Sequence, residues 1–100
     1  MVKLIALYRN PENVEAFDSH YFQVHIPLVR KMSGLKKLEV TRITGAPIGD
    51  TKFHMMAEMY FDDQESMNAA AASPEGKAAT KDLMGFAANL VTMFHGETKE

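Results

Sequence analysis

The sequence predicts an α+β domain of order β-α-β-β-α-β, in which four antiparallel strands carry their helices on one face. Three observations carry that order. Strand-like apolar runs occupy residues 2–8, 35–44, 52–61 and 90–95, the turn-forming stretch Gly45-Ala46-Pro47-Ile48-Gly49-Asp50 joins the second to the third, and helix-forming segments fill the two remaining intervals.

Residues 2–8 are apolar except for Lys3, as in a central strand covered on both faces. Asn10 offers a cap, Pro11 suits a first helical turn, and Glu12 and Glu15 favour the positive end of a helix dipole, so the first helix is expected to begin there. Val14, Phe17, Tyr21, Val24 and Leu28 form its apolar stripe. At about 100° per residue Tyr21 and His25 share a side, whereas His20 lies roughly 140° from His25 and is expected to face solvent or a dimer contact. Pro27 would clash with the carbonyl of Gln23, which predicts a stop or kink near Ile26 and a loose last turn closed by Ser33-Gly34.

The second strand alternates, with Leu38 and Val40 on one face and Glu39 and Thr41 on the other. In the third strand Phe53, Met55, Ala57, Met59 and Phe61 make an apolar face, and His54, Met56, Glu58 and Tyr60 a mixed one. Asp62 followed by Glu65 reads as a capping-box start for a helix over 64–72. Ser73-Pro74-Glu75 then recaps a second piece over 75–84, ending at Gly85. The fourth strand follows, and the charged stretch 97–100 is expected to fray. This is the ferredoxin-like split unit, one domain over 1–100. Strands apolar on both faces leave one face to be covered by a second copy, which predicts a homodimer forming a dimeric α+β barrel.

Composition narrows the function. A net charge of −2 from mixed signs gives no basic stripe, so no nucleic-acid partner is expected. Cysteine is absent, which removes thiolate metal sites and thiol nucleophiles and fits a reducing compartment. The opening residues lack a signal-peptide pattern and no segment approaches a membrane span, so a cytoplasmic protein is expected. His54 and Glu58 are too far apart along a strand to share an ion, so no metal is expected, and without a glycine-rich phosphate cradle no cofactor is expected either. The eight methionines read as adaptable core filling.

The segments HYFQVHIPLVRKMSGLKKLEVTRITGAP, HMMAEMYFDD and SPEGKAA resemble the EthD family of dimeric α+β barrel proteins across nearly the whole chain. The resemblance implies a homodimer with a pocket in each subunit between sheet and helices. Similar folds include small cofactor-free monooxygenases of polyketide tailoring, methylmuconolactone isomerases and haem-degrading enzymes. The family's His-X-Pro signature falls on His25 and Pro27, its His-Tyr pair on His20 and Tyr21, and its sheet-side acid on Glu58. Where the isomerase relatives carry a strand tyrosine and a hairpin-loop histidine, this chain has Leu38 and Thr51.

His25, Tyr21 and Glu58 are therefore the candidate catalytic residues, with His54, Leu38 and Phe17 as candidate substrate contacts. His25 reads either as a proton carrier or as a cap on the carbonyls before Pro27. Glu58 reads either as a desolvated acid or, more simply, as the ion-pair partner of Arg42. Haem on His25 is a remote alternative for so small a domain. The expected ligand is a small apolar or aromatic oxygenated compound. The expected activity is a cofactor-independent oxidation or isomerisation in a degradation or tailoring pathway, with a non-catalytic binding protein as the alternative.

Overall fold

The computed structural model describes residues 1–99. Its elements are β1 (Val2–Arg9), α1 (Val14–His20), a π turn (Tyr21–His25), α2 (Ile26–Arg30), β2 (Lys37–Arg42), β3 (Phe53–Phe61), α3 (Gln64–Ala72), α4 (Pro74–Ala87) and β4 (Val91–Glu97). The sheet runs β2-β3-β1-β4 and is antiparallel throughout, the ferredoxin-like order. β1 is central, and its alternate residues Ala6 and Tyr8 join Met55, Ala57, Met59 and Phe61 of β3 in the core beneath the helices. Ile5, Leu7 and Met56 lie half-buried on the other face with Phe94, which is 45% exposed.

Several boundaries differ from the sequence expectation. Asn13, not Asn10, caps α1 by accepting from the Ala16 amide, and Asp63, not Asp62, caps α3 through the Ser66 amide. Capping side chains stood at both places, and the local code does not choose between neighbours. α4 runs through Gly85 to Ala87, because the buried stripe of Ala79, Leu83 and Ala87 continues past the glycine. Glu97 pairs with Val2 and the Thr98 amide donates to the Met1 carbonyl, so the end of the chain is held that far. Glu100, the last residue of the stretch expected to fray, lies outside the described residues.

The helix through Pro27 does not stop. It widens one turn earlier: the Ile26 amide donates to the Tyr21 carbonyl, five residues back, and Pro27 then occupies the first turn of α2. A wider turn relieves the ring–carbonyl clash and puts proline where no donor is required.

α3 and α4 meet at a tight corner built on Ser73, whose hydroxyl donates to the Ala70 carbonyl and accepts from the Gly76 amide. A Cβ on Gly76 would stand 2.1 Å from the Ala70 carbonyl oxygen and 2.8 Å from that of Ala71, both backbone atoms that cannot yield. At Gly85 nothing lies within 4 Å. Gly76→Ala is therefore expected to cost about 1–3 kcal/mol, and Gly85→Ala to stabilise by about 0.5–1 kcal/mol. Thermal melts of the two variants check this, and equal melting temperatures would refute the close-packed corner.

Candidate functional site

His25 is 5% exposed and lies on the inner side of the π turn, stacked on Tyr21 at 5.8 Å between ring centroids. Its Nδ1 is 3.0 Å from Oδ2 of Asp82 on α4, and Nε2 of His20 is 2.8 Å from Oδ1 of the same carboxylate. His20 thus does not face away from the site, as α-helical spacing predicts. An i→i+5 turn brings residues five apart onto one side, and Phe86 packs against both rings, at 4.5 Å from His20 and 5.2 Å from His25. An ionised carboxylate only accepts, so the His25 Nδ1 carries the proton and, in the neutral ring, Nε2 is left as the base.

Burial is the largest influence on His25 and pulls its pKa below the ordinary 6.5; the Asp82 carboxylate pushes up but does not win, and His20 pushes it further down. His25 also lines a cavity of about 60 Å³ between sheet and helices. The wall is largely apolar, with Leu4, Ala6 and Met59 from the sheet, Val29 and Leu83 from the helices and Met32 from the segment after α2. Tyr8 lines it too, and burial raises the phenol pKa of Tyr8 and of its neighbour Tyr21, keeping both neutral. The Tyr21 hydroxyl is fully buried without a hydrogen-bond partner. The volume admits a few waters or a small ligand fragment, and the lining methionines are flexible enough to enlarge it.

The other candidates fall elsewhere. Glu58 lies on the opposite face of the sheet from His25, opposite Glu39 on β2, and its partner is Lys3 at 2.7 Å rather than Arg42. Arg42 instead reaches Asp18 on α1, at 2.9 Å. His54 does not share a face with Glu58. Tyr8 pairs with Met55 and Arg9 with Phe53, so His54 is the extra residue of a β-bulge, and its side chain turns under α1. There its Nε2 is 2.8 Å from Asp18 Oδ1 and its ring meets Phe17 edge-on at 5.5 Å. Phe17, His54 and Leu38 do not line the cavity; Phe17 bridges the two regions by stacking on Tyr21 at 5.6 Å.

Sequence reasoning missed Asp82, the residue that organises the site. It carried a signal: Asp82 follows Ala79 by three and precedes Phe86 by four, an acid on the border of the apolar stripe of α4. Among the described residues no group of three or more His, Asp or Glu is disposed to hold a metal ion. No helix among them is long and apolar enough to cross a membrane.

The EthD domain profile matches residues 9–89, and a structure of an ethyl tert-butyl ether D (EthD) family protein from Bacillus halodurans is 55% identical, with a TM-score of 0.95 over 98% of both chains. The chain belongs to the EthD family. An uncharacterised 11.0 kDa protein from the thcB–thcC intergenic region of Rhodococcus erythropolis is 31% identical over 93 residues, 93% of this chain and 90% of its own. At the level of fold alone, the EthD chain is similar to SnoaB, a cofactor-independent oxygenase of Streptomyces nogalater. That likeness has a TM-score of 0.67 and 17% identity, over 99% of this chain and 93% of SnoaB. Three other chains sharing the fold at 16–22% identity are dimeric ferredoxin-like proteins.

The site fixes a pH dependence. Folded His25 resists a proton that the unfolded chain binds below about pH 6.5, so its contribution to stability is complete above that pH and is lost as pH falls toward the lower folded value. Burial alone would raise the Asp18 pKa, but hydrogen bonds from His54 and Arg42 outweigh it and hold the carboxyl below 3.8, so a second loss begins as pH falls through that value. Melting temperatures measured against pH should show both declines. His25→Gln should flatten the first and Asp18→Asn the second; a profile flat between about pH 7 and about pH 5 contradicts the assignment of His25.

Proposed function

We propose that this EthD protein is a cofactor-independent enzyme that moves a proton on a small, neutral, largely apolar oxygenated compound. His25 is the proton carrier, as either an oxidation or an isomerisation would require. The observation that carries the reading is a buried imidazole whose Nδ1 is held by a carboxylate while the ring itself walls an apolar cavity. A carboxylate that fixes the ring's tautomer and steadies the imidazolium that forms is the usual means of making histidine a general base.

The ligand class follows from the wall. An anion would find no cation among the cavity-lining side chains while His25 is neutral, whereas a hydroxyl or carbonyl compound can meet the Tyr8 hydroxyl and the His25 Nε2 together. Tyr21 supports the ring of His25 by stacking. The oxygenase SnoaB, alike in fold, works without a cofactor, which accords with this class of chemistry and says nothing of the substrate. The open sheet face carrying Ile5, Leu7, Met56 and Phe94 is closed by a second subunit, a reading supported by its apolar side chains and by the proteins alike in fold being dimeric.

A ligand panel of phenol, benzoquinone, a small lactone and benzoate tests the reading. Histidine NMR follows binding, mass spectrometry follows product, and light scattering follows subunit mass. A neutral member is expected to shift the His25 signal saturably and to be converted, with His25→Ala lowering turnover by ~10²-fold or more, and benzoate to leave His25 unmoved. Turnover unchanged in His25→Ala defeats the assignment. A bound compound recovered unaltered favours the accessory binding protein instead, and a monomer defeats the covered face.

A further inference from the structure

His20 has no part in the reaction proposed above, yet it holds the same carboxylate as His25. Asp82 presents Oδ1 to His20 Nε2 at 2.8 Å and Oδ2 to His25 Nδ1 at 3.0 Å. Side-chain exposure falls along the series from 36% for His20 to 17% for Asp82 and 6% for His25. The three side chains reach from a surface depression, lined by His20, Asp82 and Lys81, to the wall of the cavity. Two imidazoles against one carboxylate is a charge problem, since a single anion balances a single imidazolium.

We infer that His20 is a positioning residue for the proton on His25: the two imidazoles hold one positive charge between them against Asp82, and His20 is the member that exchanges it with water. The titratable and charged groups facing the pair are Lys81 and Asp82 from α4, Tyr8 from β1 and Tyr21 on the π turn. None of them supplies a second anion. Lys81 is a cation, and burial pushes the phenols of Tyr8 and Tyr21 well above the range in which they ionise. A single charge is better solvated on the exposed ring of His20 than on the buried ring of His25, because desolvation penalises the charged form.

When His25 Nε2 takes a proton from a neutral compound in the cavity, an O–H or C–H bond of the compound breaks, its electron pair stays on the compound as an anion, and an N–H bond forms on the ring. The imidazolium of His20 then releases its Nδ1 proton to water, and Asp82 stays ionised throughout. The summed charge of the three side chains is unchanged, and the one charge the step adds is the anion on the compound, which faces the imidazolium of His25. The use made of this coupling rests on the reading of His25 as a proton carrier; the coupling itself belongs to the protein without ligand.

The test is an NMR titration of ¹⁵N-histidine-labelled protein, free of ligand, from about pH 5 to about pH 8.5, for the parent chain, His20→Gln and Asp82→Asn. In the parent the His25 curve is expected to be spread over two steps coupled to those of His20. In His20→Gln it should collapse to one step with its midpoint raised by about half a unit or more, and in Asp82→Asn the midpoint should fall. A His25 curve unchanged in shape and midpoint by His20→Gln overturns the inference. If His20→Gln does not fold, His20→Phe keeps the packing against Phe86, removes the titrating ring and carries the same expectation. Absence of coupling in a protein whose His25 still responds to a neutral ligand sinks this inference alone. Coupling in a protein that binds and converts nothing sinks only the functional reading.

Discussion

One carboxylate cannot meet two imidazoles five residues apart on a regular α-helix, where those positions diverge by roughly 140°. Asp82 meets both His20 and His25, and the shape of the helical layer follows from that constraint. The chain opens into a π turn between Tyr21 and His25, Pro27 restarts a regular helix directly after it, and Phe86 fills the angle between the two rings. A π turn gives up regular hydrogen bonding and persists where something repays it. Here the repayment is a buried histidine with a fixed tautomer.

The rest of the fold keeps that histidine dry and aimed. β1 supplies Tyr8 and the floor of the cavity, and the tight corner at Gly76 lets α4, the helix that carries Asp82, turn back directly from α3. Desolvation prevails over the attraction of Asp82 and holds the His25 pKa below its ordinary value, which favours the neutral ring, the state in which it can accept a proton. A second polar cluster, Asp18 with His54 and Arg42, ties α1 to the end of the β2–β3 hairpin. It anchors the helix that leads into the π turn, and it is separate from the cavity.

The element order, the hairpin and the helical segments are legible in the sequence because apolar runs and turn residues agree on where each element lies, though not on its capping residue. Tyr21 is legible from the apolar stripe and His25 from its place four residues on, although Val14 and Val24 of that stripe are exposed because the helix leaves the regular period. The parts that were not legible depend on departures from ideal periods. A 3.6-residue period puts His20 on the outside, and the wider turn brings it in. His54 was assigned to the face of Glu58 because a bulge against β1 cannot be seen in one strand alone. Glu58 found Lys3 on a strand far away in sequence, and Arg42 found Asp18 on a helix, since ion-pair choice depends on register between elements. Asp82 reads in the sequence as one more charged residue on a helix, and only its spacing to Ala79 and Phe86 marks it as bordering the core.

The claim on which this account turns is that Asp82 fixes the proton of His25 on Nδ1 and leaves Nε2 as a base facing the cavity. The ¹⁵N chemical shifts of the His25 ring in neutral solution report that tautomer directly, with Asp82→Asn as the control. A protonated Nδ1 and an unprotonated Nε2 in the parent chain, with the preference weakened in Asp82→Asn, is the result expected. A proton found on Nε2 in the parent would contradict the account, because the ring would then offer the cavity a donor and no base.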